Sequence, residues 1–120
     1  MNSKPVLDLF HPIVRGWFTS KIGVPSPPQE QGWPVIHRNE NVLISAPTGA
    51  GKTLSAFLVC INWLLEQGLA GALKDQTYVL YISPLKALNN DIYRNLEVPL
   101  EGIEEEAARQ GIKIPAITKA

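Results

Sequence analysis

The chain has 120 residues with 11 basic and 11 acidic side chains, one cysteine and 45% hydrophobic residues. That length fits one compact domain with a modest core and excludes a multidomain assembly within it. The zero formal charge argues against a globally basic nucleic-acid binder but is compatible with a local basic patch. The single Cys60 allows no internal disulfide and points to a reducing compartment. The longest apolar run, 57–65, is broken by Asn62 and is far short of the ~20 residues that span a bilayer. The N-terminus lacks a charged start followed by an apolar stretch, so no signal peptide or membrane partner is expected and the expected location is cytoplasmic.

Residues 1–40 read as a lead-in segment, with aromatics at Phe10, Trp17, Phe18 and Trp33 and prolines at Pro5, Pro12, Pro25, Pro27, Pro28 and Pro34. That proline density opposes long regular elements. It leaves one short predicted helix from about Pro12 to Lys21, with Ile13, Val14, Trp17 and Phe18 at helical spacing. Val42 to Ser45, entered from the polar turn 38–41, reads as a buried parallel strand. A helix is predicted from about Lys52 to Gln67, stopped by Gly68, with one apolar stripe of Leu54, Phe57, Leu58, Ile61 and Leu65. Ala56, Val59, Cys60 and Trp63 make a second stripe, so this helix needs cover on nearly all sides.

Thr77 to Ser83 is β-branched and aromatic and reads as a second strand, parallel to the first through a right-handed crossover. Ser83 and Pro84 fit the N-cap and first position of a helix reaching about Leu96. Another helix is predicted from about Pro99 to Gln110, ending at Gly111, and Ile112 to Thr118 reads as a third strand weakened by Pro115. The expected fold class is therefore α/β: a doubly wound, mostly parallel sheet of the phosphate-loop kind, incomplete in this chain.

Ala46-Pro47-Thr48-Gly49-Ala50-Gly51-Lys52-Thr53 carries the strongest chemical signal. The phosphate-loop pattern is Gly, four residues, Gly-Lys-Ser/Thr; here Gly51-Lys52-Thr53 matches and Ala46 replaces the first glycine. The stretch joins a predicted strand to a predicted helix, so its backbone N–H groups can converge on phosphate oxygens at the positive helix end. Gly49 and Gly51 permit close approach, Lys52 would reach the terminal phosphates, and the Thr53 hydroxyl would ligate Mg²⁺.

Ser83-Pro84-Leu85-Lys86 offers a second helix N-terminus with a nearby lysine at the carboxyl edge of the expected sheet. On these four residues alone, ordinary helix capping competes with anion binding. Gln29, with Gln31 as its neighbouring competitor, could present its carboxamide to the N6/N7 edge of adenine, against a plain reading as a solvated loop glutamine.

Together these stretches resemble a superfamily 2 helicase of the DEAD/DEAH-box type, and most closely the large helicase-related family of ATP-dependent DNA helicases. The resemblance rests on Pro25-Ser26-Pro27-Pro28-Gln29 with Trp33-Pro34, on Ala46 to Thr53, and on Tyr81 to Leu88 with Asn95-Leu96 and Pro99-Leu100. It implies a RecA-like motor domain in which Gln29 reads adenine, Thr48, Gly49, Ala50, Gly51, Lys52 and Thr53 hold ATP and Mg²⁺, and Pro84, Leu85 and Lys86 grip a nucleic-acid backbone. It further implies an aromatic stacked on adenine, for which Phe10, Trp17 and Phe18 are candidates and Phe18 is preferred. Single-stranded DNA is the implied partner, with RNA or a hybrid as alternatives, alongside the remaining helicase motor domains.

The chain holds no Asp-Glu dipeptide, the core of the acidic motif that such helicases use for Mg²⁺. Residues 1–40 are thus expected to form a glutamine-motif lead-in, and 41–120 the first part of the ATP-binding domain, truncated before that motif. A non-catalytic nucleotide-binding remnant and a phosphate-loop nucleotide kinase are the competing expectations.

Overall fold

The computed structural model of the chain describes residues 4–45, 52–80, 82 and 96–114. Among them are five helices: α1 (Lys4–Leu7), α2 (Pro12–Lys21), α3 (Pro27–His37), α4 (Lys52–Leu69) and α5 (Val98–Arg109). None is long and apolar enough to cross a membrane.

Helix α2 forms where periodicity places it, and its four expected apolar residues, Ile13, Val14, Trp17 and Phe18, are the buried ones. Pro12 occupies the first turn, where a missing N–H costs nothing. His11 caps it by accepting from the Ile13 N–H at 3.1 Å through Nδ1. The His11 N–H in turn donates to Asn62 Oδ1 at 2.7 Å. Asn62, the polar break in the apolar run of α4, is therefore buried with a partner for its oxygen.

Helix α3 departs from the expectation that proline excludes regular structure here. Pro27 and Pro28 fill its first two positions, where helices leave N–H groups unpaired in any case. Pro34 alone lies inside the helix, and the N–H it lacks is the one that would serve the carbonyl of the exposed Glu30. Asn39, at φ 63°, ends the helix in the left-handed region that asparagine tolerates.

Helix α4 runs two residues beyond its predicted end at Gln67. Gly68 stays helical, and Gly71 at φ +72° makes the turn. Its N–H donates to the Gly68 carbonyl at 3.0 Å and the Ala72 N–H to the Gln67 carbonyl at 2.9 Å, a reciprocal pair that closes the last turn. The same pair recurs after α5, where Gly111 at φ +74° donates to Ala108 at 3.1 Å and Ile112 to Ala107 at 2.8 Å. Along α4 the first apolar stripe is buried. The second is half covered: Val59 is buried, whereas Trp63 is 45% exposed and stands 5.6 Å from the Tyr78 ring.

The core is built around Trp33. Phe10 and Phe18 meet its ring edge-on at centroid distances of 4.8 and 5.3 Å, the arrangement that aromatic quadrupoles favour. Two glycines set the spacing between α2 and α5. Gly16 faces the Glu106 carboxylate, which hydrogen bonds from Gln110 and Arg109 hold below the usual carboxylate range. Gly102 sits against the Trp17 indole, so that a Cβ there would overlap the ring.

No described residue lies in a β-strand. The described parts of the three expected strands, 42–45, 77–80 with Ile82, and 112–114, are irregular. Leu43, Leu80 and Ile82 are 92%, 80% and 82% exposed. Residues 42, 44, 79 and 80 border one face of α4. Cover from one side repays only part of the entropy of fixing a parallel pair that needs burial on both faces. The helix predicted from Pro84 lies outside the described residues except for its end at Leu96.

Gly102→Ala is expected to destabilise the chain by about 1–3 kcal/mol, the usual effect of forcing a methyl group into a filled contact. Denaturant unfolding followed by tryptophan fluorescence measures this, and an unchanged midpoint would show that Trp17 does not rest on Gly102.

Candidate functional site

The glutamine and lysine that carry the expected chemistry sit at the starts of α3 and α4. Helix α4 begins at Lys52, so the backbone of Lys52 and Thr53 contributes the free N–H groups and positive end of an 18-residue helix. That is the surrounding an anionic phosphate requires. Thr48, Gly49, Ala50 and Gly51 lie outside the described residues, as do Pro84, Leu85 and Lys86.

Gln29 is the third residue of α3 and is buried, at 3% exposure. It is not the solvated loop glutamine of the plain reading, and its competitor Gln31 is exposed. The reason is a capping box that sequence reasoning overlooked: the Ser26 side chain accepts from the Gln29 N–H, and the Ser26 N–H donates to Gln29 Oε1 at 2.9 Å. Ser-x-x-Gln ahead of a helix is a legible signature of this motif, but the prolines around it drew the reading towards a loop.

Trp33 Nε1–H donates to the buried carbonyl oxygen of Ser55 at 3.0 Å. Gln29 lies four residues before Trp33 and Lys52 three before Ser55, so each is about one helical turn from this bond. The structure thereby joins the helix that holds Gln29 to the helix that begins with Lys52 and Thr53. Gly32 adds a second tie, because a Cβ there would come within 2.8 Å of Ile44 Cδ1. The segment leading into the glycine-rich loop thus rests in a notch beside Trp33.

Phe18 does not fit the role of stacking on adenine. It is fully buried, edge-on to Trp33, and Phe10 and Trp17 are each only 3% exposed. Aromatic spacing could not separate a stacking ring from a core ring, and packing claimed all three candidates.

A groove of about 480 Å³ runs beside α4, lined by Ile36, Ile44, Ala56, Phe57, Cys60 and Leu80 among others. Burial pushes the Cys60 thiol up, because a thiolate is disfavoured away from water. No group of three or more metal-ligating side chains occurs among the described residues.

A family model described as DEAD/DEAH box helicase matches residues 26–117. An ATP-dependent helicase Lhr-Core protein 2 of Thermococcus barophilus is 57% identical over 99% of this chain and 14% of its own length. An Lhr helicase/probable uracil glycosylase of Mycolicibacterium smegmatis is 44% identical over 98% of this chain and 8% of its own. A solved structure of the Mycobacterium smegmatis helicase Lhr bound to ssDNA and AMP-PNP superposes with a TM-score of 0.81 at 44% identity, covering 94% of this chain and 14% of that one. The chain thus spans about one-seventh or less of the length of these relatives.

Because the raised thiol stays protonated at neutral pH, alkylation of Cys60 is expected to be slower in the folded chain than in urea. The gap should persist as pH rises through the ordinary thiol range. Mass-spectrometric alkylation rates test this, and equal rates in both states would place Cys60 outside the groove wall.

Proposed function

Since the chain belongs to the DEAD/DEAH box helicase family, we propose that it binds ATP with Mg²⁺ and touches single-stranded DNA, as the nucleotide-handling part of an ATP-dependent helicase. The supporting observation is the Trp33–Ser55 hydrogen bond at 3.0 Å, which ties the Gln29 helix to the helix that opens at Lys52. The Lhr relative bound to ssDNA and AMP-PNP supports both ligand classes.

In this reading Lys52 pairs with the terminal phosphates while the N–H groups of 48–53 and the start of α4 receive the remaining phosphate oxygens. The Thr53 hydroxyl would hold Mg²⁺, which neutralises phosphate charge when bound. Gln29 reads the adenine edge from the first turn of α3, and no aromatic stacking by Phe18 is included. Pro84, Leu85 and Lys86 contact the DNA backbone, Lys86 through a salt-sensitive charge. Coupling of hydrolysis to strand separation belongs to a polypeptide that also holds the remaining motor parts. A cytoplasmic setting completes the proposal.

Lys52→Ala is expected to weaken ATP–Mg²⁺ binding by roughly tenfold or more, the scale of a lost charge-assisted hydrogen bond, as read by calorimetric titration. Unaltered affinity would sink the phosphate-loop reading. Lys86→Ala should weaken single-stranded DNA binding and flatten its log–log salt dependence by about 0.7, the single-strand value for one lost phosphate contact; an unchanged slope would remove Lys86 from the interface.

A further inference from the structure

Gly32 and Trp33 are consecutive buried residues of α3, and they touch two different stretches of chain. A Cβ at Gly32 would come within 2.8 Å of Ile44 Cδ1, and the Trp33 indole N–H donates to the Ser55 carbonyl at 3.0 Å. In sequence Ile44 stands ahead of the glycine-rich stretch 46–51, and Ser55 lies in the first turn of the helix that follows it. Both flanks of that stretch therefore rest on adjacent residues of one helix.

Neither contact answers a need of α3 or α4 alone. A glycine inside a helix weakens it relative to alanine, and the gain at Gly32 is a seat for Ile44. The helical ladder of α4 already gives the Ser55 carbonyl the Val59 N–H, so the indole supplies no partner that α4 lacks. What it adds is direction. The Trp33 ring is fully buried and has a single donor, which meets its acceptor at good geometry only when the opening turn of α4 is correctly rotated against α3.

We propose that Trp33 is a positioning residue for nucleotide phosphate: its indole N–H holds the opening turn of α4, with Lys52 and Thr53, where the helix start can receive phosphate. The inference rests on the reading of Lys52 and Thr53 as phosphate-holding residues. It requires no contact between Trp33 and the nucleotide, and none from Gln29. Without the bond the seated placement is one among several, and apparent affinity falls with the fraction of chains that occupy it. By reciprocity, bound phosphate keeps the bond closed.

Replacing Trp33 by benzothienylalanine tests this in the 120-residue chain, because sulfur takes the place of the N–H while the ring keeps its shape. Calorimetric titration with Mg²⁺–tripolyphosphate, a probe without a base, is expected to show affinity falling by about twofold to tenfold, the range in which one net hydrogen bond biases a seated placement. Fluorotryptophan at the same position keeps the N–H and should bind as the unmodified chain does. A merely structural bond would lower the unfolding midpoint of the benzothienyl chain and leave the affinity of its folded form intact. That result overturns the proposal, as does an equal loss in the fluorotryptophan chain. If the benzothienyl chain does not fold, the unmodified chain labelled with heavy nitrogen at tryptophan carries the test. Saturating Mg²⁺–tripolyphosphate should slow hydrogen exchange of the Trp33 indole N–H by the same factor, and unchanged exchange overturns the proposal.

Lys52→Ala separates this outcome from failure of the underlying reading. Lost tripolyphosphate binding in Lys52→Ala, with native affinity in the benzothienyl chain, overturns the role of Trp33 alone. Native affinity in Lys52→Ala, or no tripolyphosphate binding by the unmodified chain, overturns the phosphate reading and the Trp33 proposal with it.

Discussion

A single indole holds this structure together. Trp33 places its ring between the edges of Phe10 and Phe18 and its N–H on the Ser55 carbonyl, so one side chain links the segment before α2, α2 itself, α3 and α4. The ring supplies the apolar area, and the buried hydrogen bond fixes the direction in which α3 meets α4. No purely apolar residue would do both. Because α3 opens with the Ser26–Gln29 box and α4 opens with Lys52, the geometry of any site built from the two helix starts depends on how this ring is seated.

The helical frame and the segments of high β propensity behave differently for a physical reason. Helices satisfy their backbone internally and need only one covered face, which α2, α3, α4 and α5 find in each other. Parallel strands need neighbours at their edges and cover on both faces. The exposed Leu43, Leu80 and Ile82 are the residues such neighbours would bury, and the relatives that share this sequence are about seven times its length or more.

Sequence alone marked α2 by its Ile13, Val14, Trp17, Phe18 spacing and α5 by the pairing of Pro99 at its start with Gly111 past its end. Helix α4 was equally legible, apart from a stop placed at Gly68 when Gly71 makes the turn: nothing local distinguishes a glycine that stays helical from one that turns left-handed. Helix α3 was hidden because three prolines read as breakers, whereas two of them sit where a helix start welcomes them. Among the site residues, Lys52 lies at a helix start as its motif requires. Phe18 is a core ring, since stacking and packing draw on the same aromatic chemistry and only the fold separates them. The strand expectations at 42–45 and 77–83 rested on propensity, which registers suitability for a half-buried pleated surface and not the presence of its partners.

The hydrogen bond from the His11 N–H to Asn62 joins residues 51 apart in sequence, and it bears on the register in which α2 docks on α4. Closing so long a loop is entropically unfavourable until other contacts have brought its ends together. An asparagine in the middle of an apolar helix face gains nothing from early collapse, because its amide is satisfied only once the N-terminus of α2 has arrived. The pair is thus a long-range polar tie: it gives the buried Asn62 oxygen a partner only where the N-terminus of α2 is docked on α4. An apolar side chain at 62 would pack in the same helix face without selecting one register of α2 against α4, and that selection is what the asparagine adds.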